Sequence, residues 1–469
     1  MITFLLNHQL VQTDHPAGST LLDFVRYHRR LTGTKIGCRE GDCGACTLLV
    51  GDFEDGQLVY RSVTSCIMPL GNVNGRHVVT VEGVNLPHLS PVQAALVEEN
   101  GTQCGFCTVG FVMSLTGFMM THHKPTKESG ITAVDGNICR CTGYKSIERA
   151  ITRLTDTMET VSGRDRLAAL TQKGFLPAYF AQIPERLQVL QHMLSEKYRG
   201  IPEDHNVVLG GGTDLLVQRP ENVRISRPRL VAREIDLQGI WMENGRCFLG
   251  ASTTVTQLAE SDLLQKMLPT LPKVIKLVSS TQIRNKATLA GNIVNASPIG
   301  DFSIFFLGLN ADVHLSTRSG RGRTIPLRDF YTGYKQLAKR LEEHLTAISF
   351  LPPEEGVVVN FEKVCKRTHL DIASVNSACM IKINEDGMIT HLHLSAGGVA
   401  PYPKYLEKTC QFLIGKKPHE ALFKAANEVL QQEIAPINDV RGQEAYKRLL
   451  IRQLVFAHLQ VALPDIRFV

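Results

Sequence analysis

Two hydrophobic periods alternate along the chain and divide it. At the start the period is two: "ITFLLNHQLVQ", residues 2–12, reads as two short strands turning at Asn7-His8. Leu21, Phe24, Val25 and His28 then share one face of a helix opened by Ser19-Thr20. "CTLLV", "QLVYRSVTSC" and "HVVTV" return to strand spacing, so residues 1–82 are expected to form a small mixed sheet crossed by one helix. From residue 83 helical spacing takes over. Ser90-Pro91-Val92-Gln93 places an N-cap serine before a proline at the first helical position and a glutamine at the third, a strong helix start. Three more helices are expected at about 107–121, 126–135 and 144–158, the last burying Ile147, Ala150, Ile151, Leu154 and Met158. Four helices over residues 83–160 make a compact bundle.

Residues 161–173, "VSGRDRLAALTQK", carry charge without a sustained apolar period and read as a linker. Glycine-rich turns between short apolar strands then predict an α+β domain over 174–355. A last α+β segment, 356–469, contains strands such as "ACMIKIN" and closes with helices. The expected fold class is α+β multidomain.

At 469 residues, 43% hydrophobic and 20% charged, the chain has the composition of an ordinary globular protein. No apolar run approaches the ~18–20 residues of a membrane span, and "MITFLLNHQLVQTDH" has no basic leader. A cytoplasmic location without a membrane partner is the expectation. The net charge of +6 comes without basic blocks or interleaved aromatics, so no nucleic-acid partner is expected.

Cysteine usage changes the picture. Of twelve cysteines, eight precede residue 150, a clustering that favours metal ligation in a reducing compartment. Cys38, Cys43 and Cys46 have the C-x4-C-x2-C spacing of a plant-type [2Fe–2S] ferredoxin, with Cys66 as a distant fourth ligand. Gly37, Gly41 and Gly44 relieve tight turns in that loop. Zinc is the alternative, but zinc ribbons use two short knuckles and this set has one distant partner. The second set, Cys104, Cys107, Cys139 and Cys141, fits either zinc or a cluster by spacing. Cys247, Cys365, Cys379 and Cys410 lack ligand spacing and are expected to be core or surface thiols. "VVLGGGTDLL", residues 207–216, is either a hairpin turn or a run of bare amides approaching a pyrophosphate. It lacks the G-x-G-x-x-G pattern and the following acidic residue, which disfavours a Rossmann domain.

"TQCGFCTVGFVMS" and "GNICRCTGY" resemble the second iron–sulfur domain of the xanthine oxidase family of molybdenum hydroxylases. Val109, Lys145 and Ser146 depart from the family pattern, and none of them is a cluster ligand. "STQIRNKATLAGNIVNASPIGD", residues 280–301, and GGGTDL are similar to that family's FAD domain, with Ala290 where glycine is usual. The resemblance covers essentially the whole chain. It implies a β-grasp [2Fe–2S] domain, a four-helix [2Fe–2S] domain, an FAD domain of the vanillyl-alcohol-oxidase type and a CO-dehydrogenase-flavoprotein-like C-terminal domain.

Carried over by position, the resemblance places Val208, Leu209, Gly210, Gly211, Gly212, Thr213, Asp214 and Leu215 along the pyrophosphate. Thr288, Asn292, Ser297 and Asp301 complete the ADP side, with Leu345 and Lys363 as further flavin contacts. Tyr334 and Asp371 fall near the flavin and nicotinamide, and Gln103 matches a glutamine that hydrogen-bonds the pterin of the molybdenum cofactor. The function implied is electron transfer from molybdopterin on a large partner subunit, in an α2β2 assembly, through two [2Fe–2S] clusters to FAD and then NAD. The partner would oxidise hypoxanthine and xanthine to urate. An aldehyde or N-heteroaromatic dehydrogenase is the alternative within the family, and a non-catalytic iron–sulfur scaffold or sensor the alternative outside it. No acid–base residue is expected in this chain.

Overall fold

The computed structural model describes residues 1–161, 163, 165–197, 207–367 and 370–464. The chain is α+β and divides into two compact units, residues 1–232 with 279–287, and residues 233–278 with 288–469. Among the described residues no helix is long and apolar enough to cross a membrane.

The first unit opens with a hairpin, β1 (Ile2–Leu6) and β2 (Gln9–Thr13), turning on Asn7 at φ 52°. Strands β3 (Thr47–Glu54), β4 (Gln57–Thr64) and β5 (His77–Val79) complete a sheet of order β2-β1-β5-β3-β4. Only the β1–β5 pair is parallel, which gives the mixed sheet of a β-grasp. The expected helix across it is shorter than its apolar period. Helix α1 (Leu21–Asp23) widens at once into a π-helical turn, Phe24–His28, in which the Arg29 amide donates to the Phe24 carbonyl. Arg26 draws the following chain back over this end by donating to the carbonyls of Thr32 and Thr34.

The helical part holds α2 (Pro91–Glu98), α3 (Thr108–Thr121), α4 (Lys127–Ala133) and α5 (Lys145–Glu159). Ser90 and Gln93 form the expected capping box. Helix α3 is buried almost all round, its apolar side chains sharing one core with Leu49 and Tyr60 of the sheet and Ile151 and Leu154 of α5. Residues 161–173 differ from the expected linker: α6 (Arg166–Gln172) buries Leu170 in the same core. The buried Arg166 guanidinium donates to the carbonyls of Met119 and Val161, so the charge that suggests solvent is used to fasten the helix. Residues 162 and 164 of this stretch lie outside the described residues.

The expected 174–355 domain is not one compact unit. Residues 279–287 belong with the cysteine-bearing part, where Gln282 is wholly buried. Its amide donates to Ser114, to Asn137 and to the Ala133 carbonyl, each at 3.0 Å. Arg284 pairs with Asp135 at 2.6 Å, both side chains being less than a tenth exposed. Breaking a buried pair from one side strands the other charge, at a cost of about 3–5 kcal/mol. Arg284→Met is therefore expected to lower the first thermal transition of the protein sharply, and an unchanged transition in a calorimetric scan would contradict this.

The second unit contains a five-stranded antiparallel sheet whose central strand, Glu343–Phe350, pairs with Asp312–Thr317 and Arg246–Gly250. It also contains a four-stranded antiparallel sheet built on Val357–Val364, Val375–Ile383 and Ile389–Gly397. The C-terminal helix Glu444–Ala462 buries Ile451, Val455 and Leu459 in the core of the second sheet.

Candidate functional site

The first cysteine set sits where a strand pair meets a glycine loop. Cys46 immediately precedes β3 and Cys66 follows β4, so the antiparallel pairing of Thr47 with Thr64 brings the two buried thiols together. Gly41 and Gly44 take φ of 85° and 67°, turning the loop so that its amides face sulfur. The amides of Glu40 and Cys43 donate to Cys38 Sγ at 3.3 and 3.4 Å, and that of Cys38 to Cys43 Sγ at 3.4 Å. Cys38 also interacts with Cys66, and Cys66 with Cys46. These contacts drive the thiols apart in proton affinity: Cys43 lowers Cys38 most, followed by Cys66, while Cys66 itself is raised.

The second set is built from the start of α3 and the loop before α5. Cys107 caps α3, and Cys104 and Cys141 approach to 3.6 Å. Cys139 Sγ accepts from the Thr142 hydroxyl at 3.1 Å, and Cys107 interacts with Cys139. Tyr144, at φ 68°, turns its hydroxyl back to accept the Cys139 amide at 3.1 Å. Gln103 donates to the Cys141 carbonyl at 3.3 Å. Among the described residues no three His, Cys, Asp or Glu side chains converge as ligands of a single ion. The thiols of the first set touch in a chain, Cys43–Cys38–Cys66–Cys46, and those of the second in two pairs, Cys104–Cys141 and Cys107–Cys139. The amides and hydroxyl on the sulfurs favour the thiolate form that ligation needs.

The two loops touch. The Ile138 amide donates to the Cys43 carbonyl at 3.0 Å, and Asn137 Nδ2 to the Gly44 carbonyl at 3.1 Å. Glycine permits this approach: a Cβ on Gly44 would lie 2.3 Å from the Gly136 carbonyl, and one on Gly110 would lie 2.2 Å from that of Gly44. Sequence reasoning missed Asn137, Gln282 and Arg284 because their partners lie far away in sequence. The one signal available was polar residues inside otherwise small or apolar motifs.

In the first unit the GGGTDL run follows the short strand Val208–Leu209. Asn72 holds the Gly210 carbonyl at 2.8 Å and the Leu216 amide holds that of Gly212, so the carbonyls are engaged on the protein side. That is the orientation a run of anion-binding amides needs. Gly212 has φ 81°, and a Cβ on Gly211 would fall 1.9 Å from the Lys286 carbonyl. Leu209 is buried with Leu216, Cys46 and Cys66, with Leu215 packed against them, while Val208 is exposed. Thr213 and Asp214 are half-buried.

The second unit carries the remaining expected flavin residues. Thr288 caps the helix Leu289–Val294, and Asn292, on that helix, has a buried Oδ1 without a protein partner. A buried polar atom of this kind calls for a ligand or water. Ser297 Oγ accepts the Ile299 amide at 3.4 Å. Asp301 lies between Lys363 Nζ at 2.8 Å and Asn376 Nδ2 at 2.7 Å, and desolvation raises its carboxyl above the usual range against the pull of Lys363. Lys363 also donates to the Leu277 carbonyl at 2.7 Å. Leu345 is buried opposite Leu315 in the five-stranded sheet. Tyr334 is exposed, and Asp371 accepts the amides of Arg367 and Ile372 at 2.7 and 3.0 Å. Residues 368–369 of that loop lie outside the described residues. Of the later cysteines, Cys247, Cys379 and Cys410 are buried and Cys365 is half-buried.

Comparison with known proteins agrees with this anatomy. Residues 4–70 match the 2Fe-2S iron-sulfur cluster binding domain and 80–152 the [2Fe-2S] binding domain. Residues 178–353 match the FAD binding domain in molybdopterin dehydrogenase, and 361–462 the CO dehydrogenase flavoprotein C-terminal domain. The chain is 28% identical to the xanthine dehydrogenase of Blastobotrys adeninivorans, over 99% of its own length and 41% of the relative's. It is 26% identical to the aldehyde oxidase of Homo sapiens, over 97% and 39%. The chain thus spans less than half the length of these curated relatives. A solved structure of Cu,Mo-CO dehydrogenase in its cyanide-inactivated form matches with a TM-score of 0.51 and 26% identity, over 54% of this chain and 88% of that one. In its two [2Fe–2S] domains, its FAD-binding domain and its CO dehydrogenase flavoprotein C-terminal domain, the chain matches the molybdenum hydroxylase family of oxidoreductases.

Proposed function

We propose that this chain is the iron–sulfur and FAD subunit of a xanthine dehydrogenase of the bacterial type, working with a molybdopterin-binding large subunit in an α2β2 assembly. The observation that carries the reading is the hydrogen bond from the Ile138 amide to the Cys43 carbonyl. Ile138 is covalently next to Cys139 and Cys43 is itself an expected ligand, so one hydrogen bond joins the two cysteine sets. The burial of Cys46 and Cys66 against Leu209 and Leu216 supports the same reading, because it sets the first cysteine set beside the glycine run.

In this reading Cys38, Cys43, Cys46 and Cys66 hold one [2Fe–2S] cluster, and Cys104, Cys107, Cys139 and Cys141 the other. The glycine run at 208–215 holds the FAD pyrophosphate through backbone amides, and Thr288, Asn292, Ser297, Asp301, Leu345 and Lys363 supply the remaining contacts. When bound, the clusters carry single electrons and the flavin stores two for transfer to NAD, while the protein positions and tunes them. Asn137 keeps the two loops in register through the Gly44 carbonyl. Asn137→Ala is expected to slow electron passage between the clusters while iron content holds, and stopped-flow spectra showing unchanged intercluster rates would contradict this.

Substrate class is tested on the complex purified with its partner. Anaerobic bleaching of flavin and cluster absorbance by xanthine, followed by NADH formation, is the expected result. Bleaching by an aldehyde or an N-heteroaromatic compound, with xanthine inert, would replace the purine assignment with that class. The aldehyde reading has its own support in the similarity to aldehyde oxidase.

A further inference from the structure

Lys286 is a buried lysine that none of the roles above employs. Its residue exposure is 6%, and its Nζ donates to the carbonyl of Thr64, two residues before Cys66. Thr64 pairs with Thr47 across β3 and β4, so the ammonium sits at the strand ends that carry Cys46 and Cys66. Its backbone lies on the other side, where the Lys286 carbonyl packs against Gly211 so closely that a Cβ there would fall at 1.9 Å. The residue therefore spans from the glycine run to the first cysteine set, and its two ends are fixed by separate contacts. Burying an ammonium against a carbonyl alone is costly. A methionine would fill the same space without that cost.

We infer that Lys286 is a redox-tuning residue, a fixed positive charge that stabilises the reduced state of the cluster on Cys38, Cys43, Cys46 and Cys66. The inference rests on the proposed cluster assignment. Four thiolates and two sulfides around two irons carry net negative charge, which grows by one on reduction. A cation fixed on the Thr64 carbonyl, at the strand ends that carry Cys46 and Cys66, interacts more favourably with the reduced form and raises its potential. The attraction also offsets the burial of the lysine. The second cluster should be unaffected, because the ammonium is fastened to the Thr64 carbonyl beside the first cysteine set.

The test is a redox titration of the full chain with its natural partner, followed by low-temperature paramagnetic resonance. In Lys286→Met one of the two [2Fe–2S] signals is expected to become harder to reduce by about tenfold, or about 59 mV for one electron. The other signal should stay in place and iron content should hold. Lys286→Arg, which keeps the charge, should restore the wild-type value. Lys286→Gln, which keeps a donor for Thr64 without the charge, should behave as Met. Unmoved signals in the Met and Gln variants, with the wild type showing both clusters, would overturn the tuning role alone. Loss of iron from both variants would also overturn it and make the lysine a structural fastening. A wild type without two cluster signals would instead overturn the cluster assignment on which the inference rests.

Discussion

Cys107→Ser is expected to remove one cluster, halving the iron, while FAD and the other cluster remain. Cys107 caps α3 and contacts Cys139, and burial pushes its thiol up to about 12. Serine puts a hard oxygen with a far higher proton affinity in that place, and iron–sulfur clusters are held by thiolates. The remaining cluster should survive because the first loop is braced through other atoms. Its Cys43 carbonyl takes the Ile138 amide and its Gly44 carbonyl takes Asn137, and neither bond involves Cys107. Asn137 is itself held by Gln282 and Ser114. Iron and sulfide analysis with paramagnetic resonance reads the result. Unchanged iron would show that Cys107 is not a ligand, and loss of both signals would show that the two loops fold as one.

Gly211→Ala is expected to remove the flavin and leave the iron. A Cβ at this position would meet the Lys286 carbonyl at 1.9 Å and the Ala287 Cα at 3.3 Å, both backbone atoms that cannot rotate away. Either the glycine run or the segment 279–287 must move. The segment is anchored by Gln282, by the Arg284–Asp135 pair and by Asn285, which donates to the Ser62 carbonyl at 2.8 Å. The glycine run, held by Asn72 on the Gly210 carbonyl and by the Leu216 amide on that of Gly212, should yield. Displacing its amides weakens pyrophosphate binding, expected here to be at least about tenfold, or about 1.4 kcal/mol. Flavin absorbance after gel filtration measures it, and a full complement of FAD in the variant would refute the assignment of the run.

The fold was legible in the sequence wherever one period held. The hairpin at Asn7, strands β3 and β4 and helices α2 to α5 were all readable, because their spacing and end signals are local. Helix α6 was hidden by charge. Arg166 reads as solvent-seeking, yet its guanidinium finds carbonyls at the end of α3 that no sequence window contains. The π-turn at Phe24–His28 was hidden for a similar reason, since Arg26 bonds to carbonyls beyond the end of the helix.

The site divides in the same way. The cysteine sets were readable where their members lie close in sequence, as in Cys38, Cys43 and Cys46 or the pairs Cys104–Cys107 and Cys139–Cys141, and the structure brings the thiols of each set into contact. What joins the sets was not readable. Asn137, Gln282 and Lys286 act through partners up to 222 residues away, and each is a single polar residue with no periodic signature. The segment 280–301 resembles a flavin motif throughout, yet its first half folds with the cysteine domains and its second half with the C-terminal unit. A sequence motif does not show where a compact unit ends.

The central claim, two [2Fe–2S] clusters and one FAD on this chain, is tested most directly by metal and flavin analysis of protein purified anaerobically with its natural partner. The measurement is iron, sulfide, zinc and flavin content, combined with low-temperature paramagnetic resonance of the reduced protein. The account predicts about four irons in two clusters, two distinguishable reduced signals, no stoichiometric zinc and one FAD per chain. Zinc in place of half the iron would contradict the second cluster, and protein without flavin would contradict the reading of the glycine run.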